Sequence, residues 1–466
     1  MAYSIIALQE LNLNYKWNPI YWQTGYLLCE SGAYDEEAND STKYGKVGTA
    51  ISRIQKEGVT IANPDINTAE FGFVPDEDNN RIIFSLKGIN AISTDLAQEI
   101  IKNRPYTSFE DFCTRMIETK KVQNSQMLML IKAGCFLNLD SQDREETMRK
   151  YLKKYQYNPT EKLTLAQMNA IQEYDIIPEN LKICVRYLNF KKYVLSPEGF
   201  VENYVDNTKK IPKVGYHDRY FVLDADSQPF FAEHFTEDSV VRVQGEYYVV
   251  SEKKFSKEVD ALLQPLRDWF ESESALNAYN NATFRSIWNK HASGSEAKWS
   301  MQALTYYDQK QELDGVDEQQ YDIINFFDMP EEPESYETYT KWVNGEPKQL
   351  PKYTIHRIAG VVLNADNNHH TVSILTKNGV VDVKMYKESY AHYNRRISVS
   401  NGKGSKTVVE EPWFKRGTLL CVAGFRRGDQ WVPRVYTDSV FKHTINKITS
   451  VNPDGTLELQ LERVKV

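Results

Sequence analysis

The chain has 466 residues, 41% hydrophobic and 26% charged. That length exceeds what one hydrophobic core organises, so three or four domains are expected. No apolar run approaches the roughly 20 residues that cross a bilayer, and the N-terminus has no basic segment followed by an apolar one, so the expectation is a soluble, cytoplasmic chain with no membrane partner.

The formal net charge of −8 is unevenly spread. Residues 351–466 carry 18 Lys and Arg against 10 Asp and Glu, whereas residues 1–350 carry 38 against 54. Only the C-terminal end has the charge to hold a polyanion by electrostatics alone. Five cysteines, Cys29, Cys113, Cys135, Cys184 and Cys421, lie far apart with no C-x-x-C pair. They read as small buried hydrophobes in a reducing compartment, not as a zinc or redox site.

In chain order, Tyr3 to Cys29 has the apolar content of a helix, with a break at Pro19. An acidic loop follows at Tyr34 to Asp40, then a helix from Gly45 to Glu57 closed by Gly58. Short strands at Val59 to Ile61, Phe71 to Val74 and Arg81 to Ser85 surround polar turns. From Leu86 to Leu139 the pattern changes to short helices joined by glycine turns, two similar units in about fifty residues that hint at duplication. Helix resumes through Lys192, interrupted at Pro159 and Pro178. The β-formers of Tyr216 to Ser251 predict a small sheet, and helices return at Lys257 to Ala292 and Trp299 to Lys310. Asp328 to Lys348, rich in proline and glutamate, reads as an exposed linker.

Beyond the linker come strands at Thr354 to Leu363, Thr371 to Leu375 and Val380 to Met385, a helix at Lys387 to Tyr393, strands at Thr418 to Phe425 and Trp431 to Tyr436, and a last hairpin through Asp454-Gly455. Five strands with a helix after the third match an oligonucleotide-binding (OB) barrel. The fold class is thus multidomain α+β, with expected boundaries 1–62, 63–85, 86–140, 141–200, 201–255, 256–327, 328–350 and 351–466.

Two patterns suit nucleic acid. Leu86-Lys87-Gly88-Ile89-Asn90-Ala91 has the form of a glycine turn between helices, where close approach and a helix N-terminus grip phosphate. Asn90 stands where a helix-hairpin-helix has its second glycine, and asparagine tolerates that conformation best after glycine. In the barrel, cations and aromatics interleave: Trp413, Lys415, Arg416, then Phe425, Arg426, Arg427, then Trp431 and Arg434, with Arg357 in the first strand. Cations that follow phosphates and rings that stack on bases bind single strands. Equally, the rings fill the barrel and the cations are solvated.

Catalytic patterns are weak. Asp224-Ala225-Asp226 precedes Ser-Gln-Pro and reads as a surface turn, and His369-His370 follows Asp366-Asn367-Asn368 at a hairpin tip. There is no G-x-x-x-x-G-K, H-E-x-x-H or G-x-S-x-G. No catalytic residue and no cofactor is assigned to the chain.

Residues 2–139 resemble the alpha subunit of bacterial-type (C-family) DNA polymerase III. Ala2-Tyr3-Ser4 with Leu8-Gln9, and Trp17-Asn18-Pro19-Ile20-Tyr21-Trp22, resemble the end of its fingers domain. Pro64-Asp65-Ile66-Asn67, Phe84-Ser85-Leu86-Lys87-Gly88-Ile89, Ser108-Phe109-Glu110-Asp111-Phe112 and Leu130-Ile131-Lys132-Ala133-Gly134-Cys135-Phe136 follow in that family's order. The resemblance implies tandem helix-hairpin-helices that hold duplex DNA and an OB domain near the single-stranded template. Lys87, Gly88 and Asn90 are then backbone contacts of the first hairpin, and Lys132 and Gly134 of the second. It further implies that the palm aspartates and their Mg2+ belong to an N-terminal polymerase fragment on a separate chain, as in a phage genome or interrupted gene, so that this chain is inactive alone. A sliding clamp is a further implied partner, with Gln320 to Phe327 a loose clamp-peptide candidate. The alternative is a free-standing DNA-binding replication accessory protein.

Overall fold

The structure is a computed structural model that describes residues 2–17, 19–32, 34–37, 40–139, 143–195, 220–244, 247–308, 310–400, 406–434 and 444–464. It separates into two compact units, residues 1–151 with 291–466, and residues 152–290. Among the described residues no helix is long and apolar enough to cross a membrane.

The larger unit opens with helices α1 (Ala2–Trp17), α2 (Pro19–Ser31) and α3 (Tyr44–Lys56). Pro19 begins α2, where its missing N–H costs nothing. Strands β1 (Thr60–Ala62), β2 (Val74–Asp76) and β3 (Arg81–Ile83) form a small sheet in the order β1-β3-β2. Helices α4 (Thr94–Lys102), α5 (Phe109–Phe112) with a π turn at Cys113–Ile117, α6 (Asn124–Ala133) and α7 (Arg144–Tyr155) follow. Ile92, Leu96, Ile100, Phe112, Met116, Val122, Met127 and Ile131 are buried between them.

The smaller unit holds α8 (Met168–Glu173), α9 (Lys182–Val194), β4 (Tyr220–Leu223), α10 (Gln228–His234), β5 (Val240–Gln244), β6 (Tyr247–Ser251), α11 (Glu252–Leu262), α12 (Gln264–Phe270) and most of α13 (Glu273–Ala292). Its sheet has the order β4-β6-β5, and Phe221, Phe231, Phe255, Val259 and Leu266 form its core. The sheet expected from Tyr216 is present from Tyr220; residues 216–219 lie outside the described residues. Asp224, the first of the Asp-x-Asp pair, accepts the Ser227 N–H in a turn, as its sequence predicts.

The chain returns to the larger unit with α14 (Glu296–Leu304), then β7 (Ser335–Val343) and β8 (Glu346–Tyr353). Here the structure differs from the expected linker: β7 and β8 pair over eight positions as an antiparallel ribbon. Asn344 and Gly345, with φ of 55° and 84°, make its tight turn. Asn-Gly is the strongest short hairpin signal, and the surrounding prolines and glutamates masked it.

Strands β9 (His356–Asp366), β10 (Thr371–Thr376), β11 (Gly379–Lys384), helix α15 (Lys387–Asn394), the ribbon β12 (Ile397–Ser400) with β13 (Lys406–Glu410), and strands β14 (Leu419–Arg427) and β15 (Gln430–Pro433) complete the OB fold. β9-β10-β11-β15-β14-β9 is a closed circuit, with β11 and β15 parallel. A second ribbon, β16 (Ile445–Val451) and β17 (Leu457–Gln460), extends from β14. Ile358 and Val362 of β9 with Leu420 and Val422 of β14 point into the barrel. The alternate residues Ala359, Val361, Leu363, Leu419 and Cys421 pack outward with Ala297 and Met301 of α14. Burial on both faces explains why these strands read as continuous apolar runs. Gly360 permits the crossing, since a Cβ there would stand 2.5 Å from the Leu375 carbonyl oxygen.

Four cysteines are buried as expected; Cys29 is exposed on α2.

Candidate nucleic-acid interface

Two helix-hairpin-helix turns lie against one another. In the first, Ala91 adopts φ 67°, Ile92 plugs into the core, and the Ser93 side chain caps α4 by accepting the Leu96 N–H. In the second, Lys120 adopts φ 61°, Val122 is buried, and Gln123 and Gln126 form a reciprocal capping box at the start of α6. A left-handed residue, a buried β-branched anchor and a polar cap thus recur in the same order. Gln126 donates to the Ala91 carbonyl at 3.4 Å, and Lys121 pairs with Glu99. Ala91, Ser93, Thr119, Lys120 and Gln123 are exposed, so both helix N-termini open to solvent, the arrangement that receives a phosphate.

These turns correct the expected sites. Lys87, Gly88, Lys132 and Gly134 are all buried. Gly88 donates to Ser85 Oγ at 2.9 Å, three residues before the turn. Asn90 directs its backbone N–H to the Ala303 carbonyl and its side-chain amide to the Gln302 carbonyl, at 2.8 and 3.2 Å. Lys132 Nζ donates to Gln302 Oε1 at 2.8 Å, and burial pulls its pKa down to about 8. Burial lowers that of Lys87 as well. These residues face α14 or the core, and none offers a free cation to a backbone. Glycines attracted the reading, but Ala91 and Lys120 hold the turn positions; the shared spacing of anchor and cap was the signal that could have found them.

Gly134 instead closes α6 in the left-handed conformation, with φ 82°. A Cβ there would meet the Arg144 guanidinium at 2.8 Å. Arg144 is itself buried and ion-paired with Asp308, and donates to Ser300 Oγ at 2.7 Å. Burial pushes the Asp308 carboxyl up, but Arg144, Ser300 and Asn63 outweigh that and hold it below the usual carboxylate range. This network fastens the hairpins to the segment that leads into the barrel.

In the barrel the alternative left open by the sequence divides residue by residue. Trp413 and Trp431 fill the interior, and Phe425 is buried beneath Tyr353, with ring centroids 4.6 Å apart. None of the three has a free face for a base. Arg357 is buried and donates to the Tyr321 carbonyl at 3.0 Å, while Arg426 donates to the Met329 and Gly428 carbonyls at 2.6 and 2.8 Å. Both satisfy backbone oxygens and act structurally. The clamp-peptide candidate is likewise committed to the barrel: Tyr321 and Phe326 are buried, and Ile324 donates to the Arg357 carbonyl at 2.9 Å.

Four of the expected cations are exposed or half-buried, in two groups, with Arg416 covered enough that burial lowers its pKa. Lys415 and Arg416 line a groove of about 750 Å³ together with Lys298 and Lys447, which the sequence reading missed. Glu312 and Glu411 line it too, and Gln302, the acceptor of Lys132, forms part of its wall. Arg416 also lies over the Tyr44 ring at 4.7 Å. The second group surrounds Phe425: Arg427 donates to Tyr353 Oη at 3.3 Å, and Arg434 lies 5.9 Å from the exposed Tyr386 ring. Arg427 ends β14 at its turn into β15, one of the loops through which OB barrels bind oligonucleotides. His369, at the β9–β10 tip, pairs with Asp366. Among the described residues no group of three or more His, Cys, Asp or Glu could hold a metal ion.

Paired hairpins and an OB barrel lie on one chain, an architecture whose relatives are found by comparison with known proteins. A family model described as a helix-hairpin-helix motif matches residues 58–147. Over its whole length the chain is 41% identical to the probable DNA polymerase YorL of Bacillus subtilis (strain 168), and equally to the DNA-directed DNA polymerase of Bacillus phage SPbeta. The DNA polymerase III alpha subunit of Treponema pallidum is 31% identical over 142 residues, 29% of this chain and 11% of that protein. The chain is a homologue of these bacterial and phage DNA polymerases, and it spans 35% of the length of the first two.

Proposed function

We propose that this chain is the DNA-holding part of a replicative DNA polymerase of the DNA polymerase III alpha type, acting in the cytoplasm of a bacterial or phage-infected cell. The observation that carries the reading is the 41% identity to DNA polymerases along the entire chain. The hairpin turns at 91–95 and 119–125 take the phosphates of the primer–template duplex through backbone amides, a contact blind to sequence. The barrel lies along the single-stranded template, with Lys415, Arg416, Arg427 and Arg434 following its phosphates. The catalytic aspartates and their Mg2+ come from polymerase sequence outside these 466 residues.

Primer extension on a primed single-stranded template tests this. The chain alone should incorporate no nucleotide, and adding the polymerase fragment that carries the palm should restore extension. Incorporation by this chain alone would sink the proposal. Tight DNA binding without extension in the mixture would favour the accessory-protein reading.

A further inference from the structure

Among the described residues the ribbon β7–β8 pairs only with itself, and a lone two-stranded hairpin is marginally stable in water. Even so it exposes Tyr336, Tyr339 and Trp342, the last at 70% of its surface. On one face Lys341 stands directly opposite Lys348, with Tyr339 opposite Leu350 one step along. Like charges in register across a ribbon destabilise it. Among the described residues neither lysine has an ion-pair partner, whereas Lys352, nearer the root, pairs with Glu337. Glu346 shares that face but, among the described residues, forms no ion pair with either lysine, so an anion seated between the two ammonium groups would relieve their repulsion. Strands of eight and nine residues carry the arm roughly 25–30 Å. Its root is Tyr353, which covers Phe425 and accepts from Arg427 at the β14–β15 loop.

We propose that β7–β8 is a single-strand-binding arm that prolongs the barrel's oligonucleotide site. The Lys341–Lys348 pair brackets a backbone phosphate, Tyr339 offers a ring beside it on the same face, and Trp342, on the opposite face next to the turn, stacks on a base where the strand rounds the tip. Protein partners fit less well, because an in-register lysine pair beside exposed rings is the cation-and-aromatic mixture that single strands use. The inference rests on the DNA-holding reading above and adds a site to it.

The test is fluorescence anisotropy with oligo(dT) and with a duplex of equal length, over a salt series, using the full chain. Reversing both charges, Lys341→Glu with Lys348→Glu, should weaken oligo(dT) binding about tenfold or more. It should also lower the salt slope by about 0.7, the contribution of one single-strand phosphate, and leave duplex binding unchanged. Tyr339→Ala with Trp342→Ala should cost about fivefold or more with the slope unchanged, as stacking requires. All four side chains are exposed, so an unaltered melting curve verifies folding. Wild-type affinity and slope in the charge-reversed variant would overturn the arm. Wild-type oligo(dT) affinity in both double variants overturns the arm and leaves the barrel's single-strand role standing; a wild-type chain that binds duplex but not oligo(dT) overturns the arm and that role together, and one that binds neither overturns the whole DNA-holding reading.

Discussion

The hairpins and the barrel present opposite chemistries to the solvent. At the hairpins the backbone is exposed, at the starts of α4 and α6, while Lys87 and Lys132 are buried. In the barrel the backbone is consumed by a closed circuit of strands, and Lys415 and Arg427 project as side chains, as do Lys341 and Lys348 on the β7–β8 ribbon outside that circuit. On the proposed reading one region grips through backbone amides, which only substitution to proline removes, and the other through cations that any neutral substitution deletes. Duplex binding by the hairpins should therefore depend weakly on salt, and single-strand binding by the barrel steeply.

Each region is also fastened by one buried arginine–carboxylate pair, Arg144 with Asp308 and Arg463 with Glu410. Removing one member strands its partner in the interior, at a cost of about 3–5 kcal/mol. Arg144→Ala should accelerate hydrogen exchange across α6 while β9 keeps its protection, and Arg463→Ala should do the reverse. If either variant opens both regions, they form one cooperative unit and the contrast between them is only chemical. Both carboxyls sit below their usual range, where burial is outweighed by their hydrogen-bonding partners. Their stabilisation is fully present above the unfolded values, about 3.9 for Asp and about 4.3 for Glu. It is lost as pH falls through the folded ones.

Lys132 gives a smaller effect of opposite sign. With a pKa of about 8 against roughly 10.4 unfolded, its charge opposes folding below pH 8. That penalty fades as pH rises toward the unfolded value. Lys132→Met should be more stable than the wild type at pH 7 by about 2 kcal/mol, after loss of the Gln302 hydrogen bond. The gap should close between pH 8 and the unfolded pKa, measured as the difference between urea midpoints. A constant gap would mean that Lys132 stays charged, directed at the neighbouring groove and available to DNA.

The barrel was legible because its signals are local. Strand runs, the helix at Lys387 and the Asp454-Gly455 turn each fall within a few residues of their predicted places. The β12–β13 ribbon went unread although its connection, residues 401–405, carries the same Asn-Gly signal as the β7–β8 turn. The site was less readable than the fold. Whether Trp413 stacks on a base or fills a core depends on which face of a closing sheet it meets, and Glu410, its hydrogen-bond partner at 2.9 Å, carries no pattern that says so. Lys132 is buried by α14, 170 residues away in sequence, which no window along the chain can reveal. The hairpin turns were within reach, because Ile92-Ser93 and Val122-Gln123 share an anchor-and-cap pattern that glycine content obscured.

The smallest effect isolates the backbone's role at the first turn. Ala91 holds a left-handed conformation at φ 67°, which costs an L-residue about 1–2 kcal/mol. Glycine removes that strain but loses more chain entropy on folding, so Ala91→Gly should stabilise by about 0.5–1 kcal/mol, seen as a higher urea midpoint. Because the proposed phosphate contacts are amides and not the Ala91 methyl, duplex affinity should hold steady or rise slightly as the exposed turn loses its side chain. A more stable variant with weakened duplex binding would show that the methyl, or the strain it imposes, shapes the contact. Binding at the hairpins would then depend on side chains as it does at the barrel, and the distinction between the two regions would fail where it is drawn most finely.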